Sequence, residues 1–516
     1  MKVIRYRMSQ IKLKIDESIN NIPKRIVRQY GYEGMRVFDV EIVKESIDAR
    51  KKNDIKKVYT IEFSTNVKLD LPEAPDRRYQ EVSSGSEKMK YRPVIVGFGP
   101  CGMFCGLVLA ARGYRPIIVE RGYAMEDRIR EVKKFWERGI LNPECNVQFG
   151  EGGAGTFSDG KLTTGIKDPR VQKVLEEFVA AGADPDIMYK QKPHIGTDVL
   201  RHVVMNIRYK IERLGGEIKF DARMNHLNVE DGAVTGLMIQ TGYQLISMNT
   251  DNLVLAMGHS SRDTLRSLVE TGVRMEQKPF SIGVRVEHPQ EMVDKAQYGD
   301  AASNQHLPHA IYKLAHHCED GRGVYTFCMC PGGEVIVASS ETGCVVTNGM
   351  SFHSRNSGTA NSGLLVDVRT SDFENDSPLA GVEFQEKYER IAFANGGRNY
   401  HAPKTTWGEF RDDTEAAQPV IECLPEFAVS SIREAMPELG KKMKGFDADD
   451  AVFTAVETRS SSPVRILRDK NYVGSFKGLY PAGEGAGYAG GIVSSACDGI
   501  RIAEEIIKRY EPIDKK

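Results

Sequence analysis

"VIVGFGPCGMFCGLVLAARGYRPIIVE", residues 94–120, is where the chain declares its architecture. A β-branched run ends at Val96, a glycine turn follows, an Ala/Leu/Gly segment continues, and a second short run closes at Glu120. That order is strand, helix, strand, a parallel βαβ unit. Gly97, Gly99 and Gly102 have the spacing G-x-G-x-x-G. The first glycine permits a tight turn, the second lets backbone approach a pyrophosphate, and the third lets the helix pack on the strand. Pro100 and Cys101 open the helix, whose unpaired N–H groups and positive dipole end suit phosphate. Glu120 stands where a carboxylate accepts hydrogen bonds from ribose hydroxyls and repels a 2′-phosphate, so the ligand is NAD or FAD. Residues 94–111 carry no charge, the lower edge of a membrane-span signal. The glycines and Pro100 make a nucleotide turn the better explanation, and a soluble protein is expected.

The tail decides between the two ligands. "GLYPAGEGAGYAGGIVSSACDGIRIAEEIIKRY", residues 478–510, reads as strand, glycine turn and helix. Gly485, Gly487 and Gly490 formally repeat the fingerprint, but the 26 residues after Gly490 hold one helix and no second strand with its acid. The segment instead resembles the C-terminal flavin element of two-dinucleotide-binding-type flavoproteins. That likeness places Gly483 and Glu484 beside the ribityl chain. It turns the backbone around Gly490, Gly491 and Ile492 toward the pyrimidine edge of the isoalloxazine, where reduced flavin is anionic.

Further stretches carry a family resemblance: "QFGEGGAGTFSDGKLTT", "HIGTDVLR", "LAMGHSSRDT", "KPFSIGVRVEHP", "FCMCPGG", "TNGM", "YPAGEGAGYAGGIVSSACDG" and, near the start, "SIDARKK". Together they resemble the bacterial FAD-dependent dehydrogenases, most of them uncharacterised. The likeness implies an α/β fold: a Rossmann-like FAD-binding domain of glutathione-reductase-like type, split by an inserted strand-rich α+β substrate domain. A small N-terminal α+β domain precedes it, with a ferredoxin-like fold as one candidate. The expected boundaries are 1–75 for the N-terminal domain, 76–92 for a linker, 93–274 and 446–516 for the FAD domain, and 275–445 for the insertion. Gly152, Gly153 and Gly155 are then expected to approach the cofactor through backbone, and Ser158, Asp159 and Lys161 through side chains. Gly258 follows a further buried strand. Arg121 or Arg128 is expected at phosphate, and the strand "MNHLNV" near adenine.

Composition narrows the class. Hydrophobic residues make up 41%, charged residues 27%, and the formal net charge is -1, so no global field favours nucleic acid or an anionic membrane. The first 90 residues hold 20 Lys+Arg against 14 Asp+Glu, an asymmetry that suits a solvated face. Nine cysteines, an odd number without a framework, and a cationic start with no secretory h-region suit thiols in the cytoplasm.

Candidate chemistry lies in the insertion. Arg285 is read as a carboxylate clamp or as the partner of a neighbouring acid. His353 and Arg355 share a face in a loop-prone stretch, and His259 either fixes a turn or touches flavin. In a regular strand Cys328 and Cys330 would point the same way with Cα atoms roughly 6.5–7 Å apart, which makes an easy disulfide unattractive. A single thiol beside the flavin remains a candidate. The cysteines and histidines match no familiar metal spacing, so no metal is expected. The resulting expectation is an FAD-dependent oxidoreductase that transfers hydride between flavin N5 and a small molecule, with NAD(P)H as a transient donor. The alternatives are an FAD-bound redox sensor or assembly protein, and a flavin-dependent RNA-modifying enzyme. Neither membrane nor nucleic acid is an expected partner, and the oligomeric state is open.

Overall fold

Val94 and Val96 pack to one side of their strand and Ile95 to the other, and both sides are buried. A strand apolar on two faces belongs at the centre of a covered parallel sheet. The structure, a computed structural model that describes residues 3–513, places Val94–Val96 third in an all-parallel sheet. The order is Leu479–Pro481, Leu253–Leu255, Val94–Val96, Ile117–Val119, Glu217–Lys219. Ile95 shares one hydrophobic core with the helices Pro100–Ala111, Thr197–Arg213 and Ile492–Arg509, which contribute Phe104, Val203 and Ile500. Val94 and Val96 meet Leu227 and Leu237 of an antiparallel meander, Arg223–Glu230, Ala233–Thr241 and Gln244–Asn249. The parallel sheet is thus sandwiched between helices and a second sheet.

The chain leaves this domain and returns through a two-stranded ribbon, Met275–Gln277 against Val464–Ile466. Between the two lies a six-stranded antiparallel sheet ordered Ala315–His317, Gly323–Cys330, Thr359–Val368, Phe280–Pro289, Val452–Glu457, Lys404–Thr406. Period-2 alternation sorts its faces. Ile282, Val284 and Val286 pack with Val293, Ile432 and Ala435 of the covering helices, whereas Ser281, Gly283 and Arg285 alternate with them on the opposite face. The expected boundary at 445/446 is therefore corrected: Val452–Glu457 hydrogen-bonds to Phe280–Pro289 and belongs to the inserted sheet. A buried apolar strand reads the same in either layer, and only its partner reveals where it belongs.

The N-terminal domain is a three-stranded antiparallel sheet, Ile4–Lys14, Lys56–Thr65, Val37–Asp48, with one helix, Ile22–Tyr30. Leu13, Ile26, Ile61 and Phe63 form its core. Among the described residues three strands and one α-helix are too few for the ferredoxin-like candidate, which needs a second helix and a fourth strand. Strand Val37–Asp48 continues onto the domain of the parallel sheet: Glu45 N–H donates to Tyr189 O at 2.8 Å, and Gln191 N–H to Glu45 O at 2.8 Å. This covers a sheet edge that would otherwise be open to pairing. The linker runs along the last helix, where Gly85 N–H donates to Ile507 O and a Cβ at Gly85 would stand 2.2 Å from Arg509 O. Among the described residues no helix is long and apolar enough to cross a membrane.

Candidate functional site

A groove runs along the C-terminal ends of the parallel strands, where open α/β sheets bind their ligands. Val119, Glu120 and Met224 line one end, and Gly97, Gly99, Pro100, Cys101 and Gly153 the middle. Gly258, His259, Glu484, Gly491 and Ile492 line the far end. Gly97 has φ +101°, and a Cβ there would stand 2.4 Å from Ala256 O. Gly102 serves packing alone, because its Cβ would meet Gly97 O at 1.9 Å.

Glu120 does more than face the groove. Its Oε1 accepts the N–H groups of Gly122 (3.0 Å) and Gly150 (2.8 Å), and its Oε2 accepts that of Phe98 (2.8 Å). A carboxylate offers about four acceptor positions, so about one remains, on Oε2, for a hydroxyl. One side chain thereby fixes the turn after the first strand, its own turn, and the entry to the glycine-rich loop.

Neither arginine expected at phosphate is free for it. Arg121 lines the groove, but its guanidinium lies 4.0 Å over the Phe149 ring and donates to Asp263 (3.0 and 3.2 Å) and Glu144 (3.1 Å). Arg128 is fully buried and donates to the carbonyls of Asn146, Val147, Gly150 and Glu151 at 2.6–3.3 Å. Burial pushes it down to about 10, and its role is to hold the loop that carries Phe149.

The glycine-rich loop divides. Gly153 and Gly155 line the groove, whereas Gly152 turns behind it, where a Cβ would stand 2.3 Å from Thr156 Oγ1. Ser158, Asp159 and Lys161 lie off the groove, contrary to expectation. Ser158 Oγ donates to Gly155 O (2.7 Å) and accepts from Gly160 N–H (3.0 Å). Asp159 is buried and accepts from Ser351 and from Arg355 (3.1 and 2.6 Å). Lys161 donates to Met329 O and lies 4.0 Å from Cys330 Sγ. These side chains stitch the loop to the inserted domain.

In the tail, Gly483 and Gly490 are also off the groove. Gly483 (φ +69°) packs against Cys101 and donates its N–H to Asp498 at 2.8 Å, while Gly490 is exposed. Burial pushes Glu484 up to about 7, opposed by the backbone N–H of Gly491 and by the charge of Lys278.

The catalytic candidates in the insertion turn out to be largely structural. Arg285 is fully buried and paired with Glu457 (3.2 and 3.0 Å), and it also donates to Asn361 and to Cys328 O. It therefore has no fork to offer a substrate carboxylate. Arg355 is spent on Asp159. His353 bonds Ile195 O through Nδ1 at 2.9 Å and stacks on His194 with ring centroids 5.4 Å apart. The cysteines do not share a face: pairing with Thr359–Val368 slips between Phe327 and Cys330, and Cys328 sits at φ +45°. Cys330 is buried and Cys328 exposed, the one exposed thiol of the nine.

Sequence reasoning missed the network beside His259. Arg262 and Arg459 both bind the fully buried Glu389 at 2.6–2.9 Å, and Arg459 Nη1 donates to Ser260 Oγ, on the groove wall, at 3.0 Å. Burial, with Arg459 and Arg262 nearby, pushes His259 down to about 3, so it is neutral at pH 7. "SSRDT" and "ETRSS" were visible as polar clusters, but nothing local pairs them.

The groove fits a dinucleotide. At Gly258 (φ +73°) and Gly491 (φ +86°) nothing lies within 4 Å of where a Cβ would stand, so the far end offers bare backbone to a ligand. The N-termini of two helices, Pro100–Ala111 and Ile492–Arg509, open on the groove. Comparison with known proteins names the ligand. Residues 279–460 match the model described as "FAD-dependent protein, C-terminal domain-like", and residues 5–64 match a domain of unknown function. An uncharacterized protein of Clostridium beijerinckii is 44% identical over 535 residues, covering 98% of this chain and 99% of that one. The chain belongs to this family of FAD-dependent proteins. FAD is the cofactor, and the FAD-dependent protein takes its chemistry from the flavin. Solved structures with similar chains include a geranylgeranyl bacteriochlorophyll reductase-like protein of Thermoplasma acidophilum, 14% identical over 81% of this chain and 78% of that one, TM-score 0.36. Another is glycerol-3-phosphate dehydrogenase of Bacillus halodurans complexed with FAD, 12% identical over 82% and 65%, TM-score 0.37.

Proposed function

We propose that the protein is a cytoplasmic oxidoreductase of glutathione-reductase-like type that exchanges a hydride between flavin N5 and a small molecule. The observation that carries this reading is the far end of the groove. There Glu484, the bare backbone of Gly491 and the start of helix Ile492–Arg509 meet. Glu484 would hold the ribityl chain, and the helix N-terminus would favour negative charge on the ring. Lys161 ties the loop bearing Gly155 to the strand bearing Tyr325, Phe327 and Cys328, the partly open side chains that would meet a substrate. The layering of helices, parallel sheet and three-stranded meander supports the fold subtype. Among the described residues there is one parallel sheet, which supports NAD(P)H as a visiting donor rather than a resident.

The test is anaerobic reduction of the purified holoprotein with NADH, NADPH and a panel of metabolites, followed at the flavin band. Bleaching by one of them at catalytic rate is the expected result. Bleaching by dithionite alone would overturn turnover and favour the redox-sensor alternative.

A further inference from the structure

Lys278 opens the substrate domain and stands beside the flavin end of the groove. Its N–H donates to Pro463 O at 2.9 Å and its Nζ to Ser462 O at 3.3 Å. Ser462 Oγ lies 3.4 Å from Gly485 O. Gly485 packs so closely on Gly258 that a Cβ would stand 2.3 Å from Gly258 O. Gly258, His259 and Glu484 are walls of the groove. The half-buried ammonium thus reaches the groove wall at Gly258 through three successive contacts, by way of Ser462 and Gly485.

Its charge is not spent locally. Among the described residues Lys278 makes no salt bridge, and its one side-chain hydrogen bond is to a carbonyl. Arg465, close to Lys278, is engaged: its guanidinium lies 5.5 Å over Tyr488 and its Nη1 is 3.5 Å from Glu276; Arg262 and Arg459 are paired with Glu389. The charge of Lys278 favours the ionised form of Glu484 and, with Arg459 and Arg262, disfavours the charged form of His259. A half-buried lysine without a carboxylate partner bears a desolvation cost that a binding function would explain.

We propose that Lys278 is a positioning residue of the FAD site, a cation delivered by the substrate domain that favours the anionic reduced flavin over the neutral oxidised one. Reduction adds two electrons and one proton to the ring and leaves one negative charge there, with the substrate as donor. A cation in a partly buried, low-dielectric setting on the groove's outer wall shifts that equilibrium by about tenfold. The proposal rests on the flavin occupying the groove as described above. It adds that docking of the substrate domain sets the potential of the cofactor.

The experiment measures the flavin midpoint potential in wild-type, Lys278→Met and Lys278→Arg holoproteins, by equilibration with a reference dye, together with the affinity of the oxidised flavin for sulfite. In Lys278→Met the two-electron equilibrium is expected to move at least tenfold toward the oxidised form, about 30 mV more negative. Sulfite should bind at least tenfold more weakly. Lys278→Arg should stay within about threefold of wild type on both measures, because only charge is required. A Met variant that binds FAD with unchanged potential and unchanged sulfite affinity overturns the proposal, whatever its melting temperature. Should that variant lose FAD, Lys278→Gln, which keeps a donor for Ser462 O, carries the same test with the same outcomes. A wild-type protein that stays colourless after FAD is added would instead sink the assignment of the groove.

Discussion

Arg285 and Glu457 lie 172 positions apart in sequence and form a buried ion pair, Nη1 contacting both carboxylate oxygens at 3.2 and 3.0 Å. The pair sits on neighbouring strands of the inserted sheet, and Arg285 also carries the carbonyl of Cys328. Removing one member of such a pair leaves an uncompensated charge. Arg285→Met is expected to cost about 3–5 kcal/mol of stability, read by chemical denaturation. A variant that melts like wild type but shows a raised KM would restore Arg285 as a substrate clamp.

Cys328 holds a left-handed backbone that a side chain disfavours by roughly 1–2 kcal/mol. Cys328→Gly should therefore stabilise the fold by up to about 1 kcal/mol once the freer unfolded chain is counted, read as a higher denaturation midpoint. If turnover falls in this more stable variant, the thiol takes part in the reaction.

The same thiol should be the fast one in labelling. Cys328 is open to solvent but ringed by protein, and burial pushes it up to about 11, with Lys161 and Arg285 pulling it back. One fast equivalent per native chain is expected from a thiol-disulfide reagent, and its rate should climb with pH from 7 toward 10 as thiolate forms. Two or more fast equivalents would contradict the burial of the other eight.

Glu484 gives a pH signature to the cofactor-free protein. Its folded value of about 7 lies above the ordinary 4.5, so folding favours the protonated form. The stability that this group contributes is complete below about pH 4.5 and is lost as pH rises through 7. Glu484→Gln should flatten that slope in pH-dependent unfolding of the apoprotein. An unchanged slope would show that Glu484 is solvated in the empty groove.

At Glu120, an amide cannot accept from all three N–H groups. Glu120→Gln should weaken FAD binding and lower stability by about 1–3 kcal/mol for the donor left unpaired. Titration of the apoprotein with FAD and a thermal melt check the two effects separately.

What the sequence made legible was local. Gly97, Gly99 and Glu120 could be placed because turn, helix start and strand end are set by neighbours in the chain. What it hid depended on distant partners. The charge of Arg285 is spent on Glu457, and that of Arg121 on Asp263, 142 positions away. Ser158, Asp159 and Lys161 follow glycines that do reach the groove, and only the position of Ser351 and Met329 shows that the loop has turned toward another domain by then. Cys328 misled for a different reason. The residue in that bulge is not glycine, so no sequence signal marked the slip that separates the two thiols.

The late completion of the parallel sheet governs how the molecule is made. Strand Leu479–Pro481 pairs with Leu253–Leu255, and Glu484, Gly491 and Ile492 complete the groove from the same late segment. During synthesis the N-terminal and inserted domains emerge and fold first, while the binding site for the cofactor still lacks one wall. Loading with FAD thus awaits synthesis of that segment, and a ribosome-stalled product ending before residue 479 should stay colourless however much riboflavin the cell is fed.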